Sequence, residues 1–129
     1  MSDTEQRPLV LVAEDDESNF KLINAIIGKK CEILWARNGV DIVKLYHENK
    51  GVARVILMDI KMPEMTGIEA TTIIREEDKD IPIIMQTAYA FATDREQAMA
   101  AGATAVLVKP LVLTALRRTM SVYIPGLTW

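Results

Sequence analysis

Six polar side chains spread along this 129-residue chain have the types needed to handle a phosphoryl group, if the fold brings them together: Glu14, Asp15, Asp16, Asp59, Thr87 and Lys109. Clustered carboxylates repel one another unless a cation sits among them, and oxygen-only ligands in an open site suit Mg²⁺. Asp59 could then act as a nucleophile, because carboxylates form acyl-phosphate intermediates. Lys109 would bring positive charge to the phosphoryl oxygens, and the Thr87 hydroxyl would donate a hydrogen bond to one of them. Such chemistry consists of positioning and charge stabilisation. Taken singly, each residue has a plainer explanation. Acids after strands are commonly turn formers or helix caps, a lone Thr is strand or turn material, and a Lys before Pro is a surface charge. Joint placement is what gives the set its weight.

That placement depends on the elements that carry it. Five short apolar runs read as strands: Leu9 to Ala13, Cys31 to Ala36, Val55 to Ile60, Ile81 to Thr87 and Ala105 to Lys109. Three are nearly continuous Val, Ile, Leu and Met, as in parallel strands buried on both faces. CEILWA is more mixed and suits a strand nearer an edge. Helical patterns fill the gaps. Ser18 is expected to cap the first, with Leu22, Ile23, Ile26 and Ile27 on one face. Asn38-Gly39 opens the second, with Ile42, Val43 and Tyr46 inward. Thr66-Gly67 opens the third, with Ile68, Ile73 and Ile74 inward. Thr93 or Asp94 caps the fourth, which Gly102 stops. The fifth begins near Leu111, carries Leu113, Leu116 and Met120 on one stripe, and ends at Pro125-Gly126. Five βα units in series imply an α/β fold: a parallel sheet with right-handed crossovers and helices on both faces. Ligands of such sheets bind at the carboxyl ends of the strands, where the six residues above fall.

The bulk properties narrow the function classes. The length fits one domain, expected over residues 1–129 with a core at about 8–124 and flexible ends at 1–7 and 125–129. Half the residues are hydrophobic, enough for a core without disulfides or structural metal. A net charge of −3 argues against direct nucleic-acid binding. The single cysteine, Cys31, excludes an intrachain disulfide and a Cys-based zinc site; it reads as a small core residue in a reduced, cytoplasmic setting. The N-terminal residues lack the apolar core of a signal peptide, and no apolar run is long enough to span a bilayer. No membrane contact by this domain is expected, whether or not a parent protein is membrane-bound.

The motifs, taken in order, resemble the receiver domain of two-component response regulators over nearly the whole chain. VAEDDESN resembles the acidic pair, Glu14 and Asp15, with Asp16 in the next, more variable place. LMDIKMPEMTGIEA resembles the phosphoacceptor segment, with Asp59, Met62-Pro63 and Gly67. QTAYA supplies Thr87 and Ala88, and AGATAVLVKP supplies Lys109-Pro110, where the family often has a cis peptide. The resemblance implies a three-layer, doubly wound, five-stranded flavodoxin-like (βα)5 fold with strand order 2-1-3-4-5. It implies Mg²⁺, with Mn²⁺ as an alternative, held by Asp15, Asp59 and the Lys61 backbone carbonyl, with Glu14 acting through water. It implies phosphoryl oxygens bound by Thr87, Lys109 and the Ala88 N–H. The implied partner is a sensor histidine kinase or phosphotransfer domain, with a homodimer through the fourth and fifth helices as an option. The string EDDESNFKLI resembles receivers of hybrid sensor kinases, where Asn19 falls in a characteristic place. The implied activity is Mg²⁺-dependent phosphoryl transfer to Asp59, with slow autodephosphorylation catalysed by the domain itself.

One departure concerns the output. The family usually has Tyr or Phe three residues before the Lys, and here that switch position is Val106, read as core packing. Lys61 and Tyr89 fall where the family tunes the lifetime of the phosphoryl group. His47 reads as a solvated helical residue without a partner, and Arg117-Arg118 as a solvated basic face. Trp35 and Trp129 show no aromatic interleaving. Two rival classes fit the residues less well. An Asp-nucleophile phosphohydrolase needs a second acid two residues on, where Lys61 stands. A receiver-like binding module without phosphorylation fits poorly with Asp15, Asp59, Thr87 and Lys109 all present. Nucleotide binding lacks a P-loop and a Gly-x-Gly-x-x-Gly.

Overall fold

The computed structural model describes residues 7–88 and 92–129. Strands and helices alternate as β1 (Leu9–Ala13), α1 (Glu17–Ile27), β2 (Glu32–Ala36), α2 (Gly39–Glu48), β3 (Ala53–Asp59), α3 (Gly67–Glu77), β4 (Ile83–Thr87), α4 (Ala92–Ala101), β5 (Ala105–Val108) and α5 (Leu113–Tyr123). All strand pairs are parallel and the order is β2-β1-β3-β4-β5. This is the flavodoxin-like arrangement expected from the motifs. Connections leave β1 towards β2 on one side and β3 on the other, so a crevice opens between the ends of β1 and β3.

Strand alternation divides the core in two. Val10, Val12, Val55, Leu57 and Ile84 pack with Ile23, Ile26 and Ile27 of α1 and Leu116 and Met120 of α5. Leu11, Ala13, Ile56, Met58, Ile83 and Met85 pack with Ile42 and Tyr46 of α2, Ala70 and Ile74 of α3 and Ala98 of α4. Every residue of β1 and β4 is buried, which explains their unbroken apolar runs, whereas β2 at the edge is mostly half-buried.

The helix ends differ in detail from the sequence reading. Asp16, not Ser18, caps α1; the Asp16 carboxylate accepts from the Ser18 N–H at 2.9 Å. Thr93 and Asp94 lie inside α4, which already starts at Ala92. Leu22 and Leu113 are exposed, because three aliphatic residues fill the α1 stripe and two the α5 stripe. Asn38 and Thr66 cap α2 and α3 as expected, Thr66 in a reciprocal box with Glu69. His47 is not solitary: with Lys50 it pairs with Glu77 of α3. After α5 the chain folds back, and the Trp129 indole N–H donates to Ser121 Oγ at 2.9 Å. No helix among the described residues is long and apolar enough to cross a membrane.

Two polar side chains tie the second core together. Arg75 of α3 donates to the carbonyls of Gly102 (2.8 Å) and Asp78 (3.0 Å) and to Thr104 Oγ1 (3.2 Å), pinning the end of α4. Tyr46 of α2 donates its hydroxyl to Asp78 Oδ2 at 3.1 Å. Burial, reinforced by the bond to Asp78, pushes the Tyr46 phenol from 10.0 up to about 12. Its contribution to stability is therefore complete below pH 10 and is lost as pH rises through about 12. Replacing Tyr46 by Phe should cost about 1.5 kcal/mol at neutral pH in urea unfolding. An unchanged unfolding midpoint would show that the bond adds nothing.

Candidate functional site

Glu14 follows β1, Asp59 ends β3 and Lys109 follows β5, so the chain's chemistry collects at one end of the sheet. In register, Asp59 lies opposite Gln86 of β4, and Thr87 opposite Val108 of β5. Backbone contacts fix the loops around them. Glu14 N–H donates to the Ala36 carbonyl at 2.9 Å, and Lys109 N–H to the Thr87 carbonyl at 2.7 Å. The Lys109-Pro110 peptide is cis. Gly67 opens α3 directly against the end of β3: its N–H donates to the Ile60 carbonyl at 2.8 Å, and a Cβ there would meet the Asp59 carbonyl oxygen at 2.1 Å. Only glycine fits that approach.

Lys109 Nζ lies 2.8 Å from Asp59 Oδ2 and 3.4 Å from Glu14 Oε1. Glu14 has no exposed surface, Asp59 is 5% exposed and Asp15 is exposed. Carboxylate oxygens of the three acids lie within 4.8 Å of one another. Burial pushes the Glu14 carboxyl up, and the Asp59 charge adds to this while the Asn19 amide opposes it. Burial also works against the Lys109 ammonium, but its contacts with Asp59 and Glu14 outweigh that and hold it raised. One cation thus faces a set of close acids, and an oxygen-only donor set with one exposed member fits a hard divalent cation such as Mg²⁺.

The remaining expected residues fall around this centre. Lys61 N–H donates to Asp59 Oδ1 at 3.3 Å. Thr87 is buried at the same sheet end, and its hydroxyl donates to Asp94 Oδ2 of α4 at 3.5 Å. Ala88 is exposed beside it. Val106 is half-buried against the α2–α4 core. Tyr89 lies outside the described residues. Asp16 is the α1 cap and is not one of the three grouped acids.

Two residues escaped the sequence reading. Gln86, 2% exposed, donates to Glu14 Oε1 at 3.2 Å and accepts from Asn19 Nδ2 at 3.2 Å. An amide inside an otherwise apolar strand was the available signal, since such a group must find partners. Trp35 lies within β2. Its indole N–H donates to the Glu14 carbonyl at 2.8 Å, and its ring stacks on Phe20 at 3.9 Å between centroids. Arg37 covers Trp35 at 4.1 Å.

The response regulator receiver domain profile matches residues 10–121. This chain belongs to the receiver domain family. Receivers are the phosphoacceptor modules of two-component systems and pair with histidine kinases or phosphotransfer proteins. The chain is 41% identical over 110 residues to hybrid signal transduction histidine kinase I of Dictyostelium discoideum; the match covers 79% of this chain but 6% of that kinase. Its fold resembles that in the complex of the Saccharomyces cerevisiae histidine phosphotransfer protein Ypd1 with the receiver domain of its downstream response regulator Ssk1. There the TM-score is 0.83 at 28% identity, covering 91% of this chain and 88% of the other. It also resembles the receiver domain of the sensor histidine kinase PA1611 from Pseudomonas aeruginosa, which was crystallised with magnesium in its active site cleft. The TM-score is 0.82 at 29% identity, covering 92% and 98% of the two chains.

The crowding at Gly67 predicts a coupled defect. Gly67→Ala should destabilise this receiver by about 1–3 kcal/mol, as overpacked sites do, because backbone atoms of Asp59 must move. Urea unfolding measures the loss, and a wild-type midpoint would contradict the close approach.

Proposed function

We propose that Asp59 accepts a phosphoryl group from the phosphohistidine of a sensor kinase or phosphotransfer domain. The observation that carries this is the ammonium of Lys109 at 2.8 Å from Asp59 Oδ2, beside Glu14 and Asp15. The phosphorus–nitrogen bond to histidine breaks as a bond to an Asp59 carboxylate oxygen forms. Lys109 then stays with the phosphoryl oxygens, neutralising charge that grows in the transition state. The Thr87 hydroxyl exchanges its long bond to Asp94 for a phosphoryl oxygen, and the Ala88 N–H joins it. Glu14, Asp15, Asp59 and the Lys61 carbonyl are the groups that would hold Mg²⁺, with Mn²⁺ as a substitute. The metal supplies further neutralisation of the phosphoryl oxygens.

In this reading residues 1–129 form a single receiver unit that catalyses its own phosphorylation and slow dephosphorylation. Lys61 and Tyr89 set the lifetime of the acyl phosphate. Movement of Thr87 repacks the α4–β5–α5 face, with Val106 in place of a switching ring. Exposed Met99, Val108 and Leu113 on that face support a homodimer through α4 and α5. The likeness to the Dictyostelium kinase supports a cytoplasmic domain of a hybrid kinase.

Incubation with Mg²⁺ and acetyl phosphate should add one phosphoryl mass to the intact protein. Asp59→Asn and metal-free samples should stay unlabelled, and Lys109→Ala should label at least about tenfold more slowly, by the usual cost of removing one preorganised charge partner. Lack of both an adduct and beryllofluoride binding would refute phosphotransfer.

A further inference from the structure

The buried carboxylate of Glu14 takes its polar partners from three different parts of the fold. Its Oε1 accepts from Asn19 Nδ2 of α1 and from Gln86 Nε2 of β4 at 3.2 Å, while Lys109 Nζ lies 3.4 Å away as an ion-pair partner. Its Oε2 accepts from the Asp16 N–H at 3.1 Å. Gln86 Oε1 in turn accepts from Asn19, so the two amides brace each other against the acid. An ionised carboxylate has no proton to donate, so both amides must present N–H to it. Among the described residues, no buried side-chain nitrogen or oxygen lacks a partner.

Each donor differs in what it could do instead. The amides are neutral and held by buried or half-buried surroundings. Lys109 is a flexible cation with a second acid within reach, and its shorter contact is to Asp59. One carboxylate oxygen offers two lone-pair directions, and two amide N–H groups already claim them. We propose that Gln86, braced by Asn19, is a positioning residue that fixes the Glu14 carboxylate and thereby keeps Lys109 on Asp59. Without the Gln86 N–H, Lys109 moves towards Glu14, and both acids lose the placement that a divalent cation needs. Nothing in the motif pattern of Glu14, Asp15, Asp59, Thr87 and Lys109 assigns this task to β4. The role rests on the phosphoacceptor reading for its Mg²⁺ consequence, but the Lys109 contact stands apart from it.

Gln86→Met tests the idea, because it keeps length and volume and removes only the amide. Mg²⁺ affinity is read from Trp35 fluorescence in a Trp129→Phe background, and the Lys109 side-chain resonances are read by NMR in metal-free protein. Expected are a Mg²⁺ dissociation constant about tenfold higher, in line with the loss of a group that orients a ligand, a displaced Lys109 signal and a cooperative melt like that of the parent. Asn19→Ala, outside the strand core, should act in the same direction and serves if Gln86→Met does not fold. An unmoved Lys109 signal in the folded variant overturns the proposal, as does unchanged Mg²⁺ affinity in a protein whose parent binds the metal. A parent that binds no Mg²⁺ while the Lys109 signal still shifts would sink the phosphoacceptor reading and leave the clamp standing.

Discussion

Lys109 stands between two buried carboxylates, 2.8 Å from Asp59 and 3.4 Å from Glu14, and the rest of the site is arranged around that position. Two acids with so little access to water repel one another unless charge of opposite sign is close. One ammonium offsets part of this, leaving net negative charge directed at the exposed Asp15. The site is therefore predisposed towards a small hard cation, which balances the charge that a single lysine leaves over.

The fold supplies this position through parallel strands and very short turns. Glu14, Asp59, Gln86 and Lys109 keep the phase of the residues that face α1 and α5 lower in the sheet, so one row of side chains changes from aliphatic to polar where the strands end. Thr87, one residue on from Gln86, has the opposite phase and faces α4. One strand thus reaches both sides: Gln86 donates to Glu14, and Thr87 touches α4. The buried apolar core beneath holds strand ends to a register that side chains at the rim could not maintain alone.

The legibility of the sequence followed how local each signal was. Strands were readable because β1, β3 and β4 are buried on both faces and leave unbroken apolar runs. The candidate site residues could be picked out because each ends or follows a strand. Asp16 and Ser18 were confused because either can cap a helix and only backbone direction separates them. Leu22 shares the aliphatic character of Ile23 but points to solvent, which a stripe of 3.6-residue period does not resolve at its margin. Gln86, Trp35 and the His47–Glu77 pair were missed because their partners lie 72, 21 and 30 residues away, on other elements. Such contacts exist only after topology has been fixed.

The hold of Arg75 on α4 is lopsided. Its guanidinium grips Gly102 and Thr104 beyond the carboxyl end of the helix, whereas near the amino end the described contact is the 3.5 Å bond between Thr87 and Asp94. Among its described side chains, only Ala98 is one of the buried core residues. The helix is thus a lever about 15 Å long with its fulcrum at Gly102. A tilt of about ten degrees there would leave the pinned end in place and carry the amino end through about 2–3 Å, by the same helix rise. In the proposed switch, a displacement of the Thr87 hydroxyl would therefore reach α4 through Asp94, at the end of the helix far from the grip of Arg75.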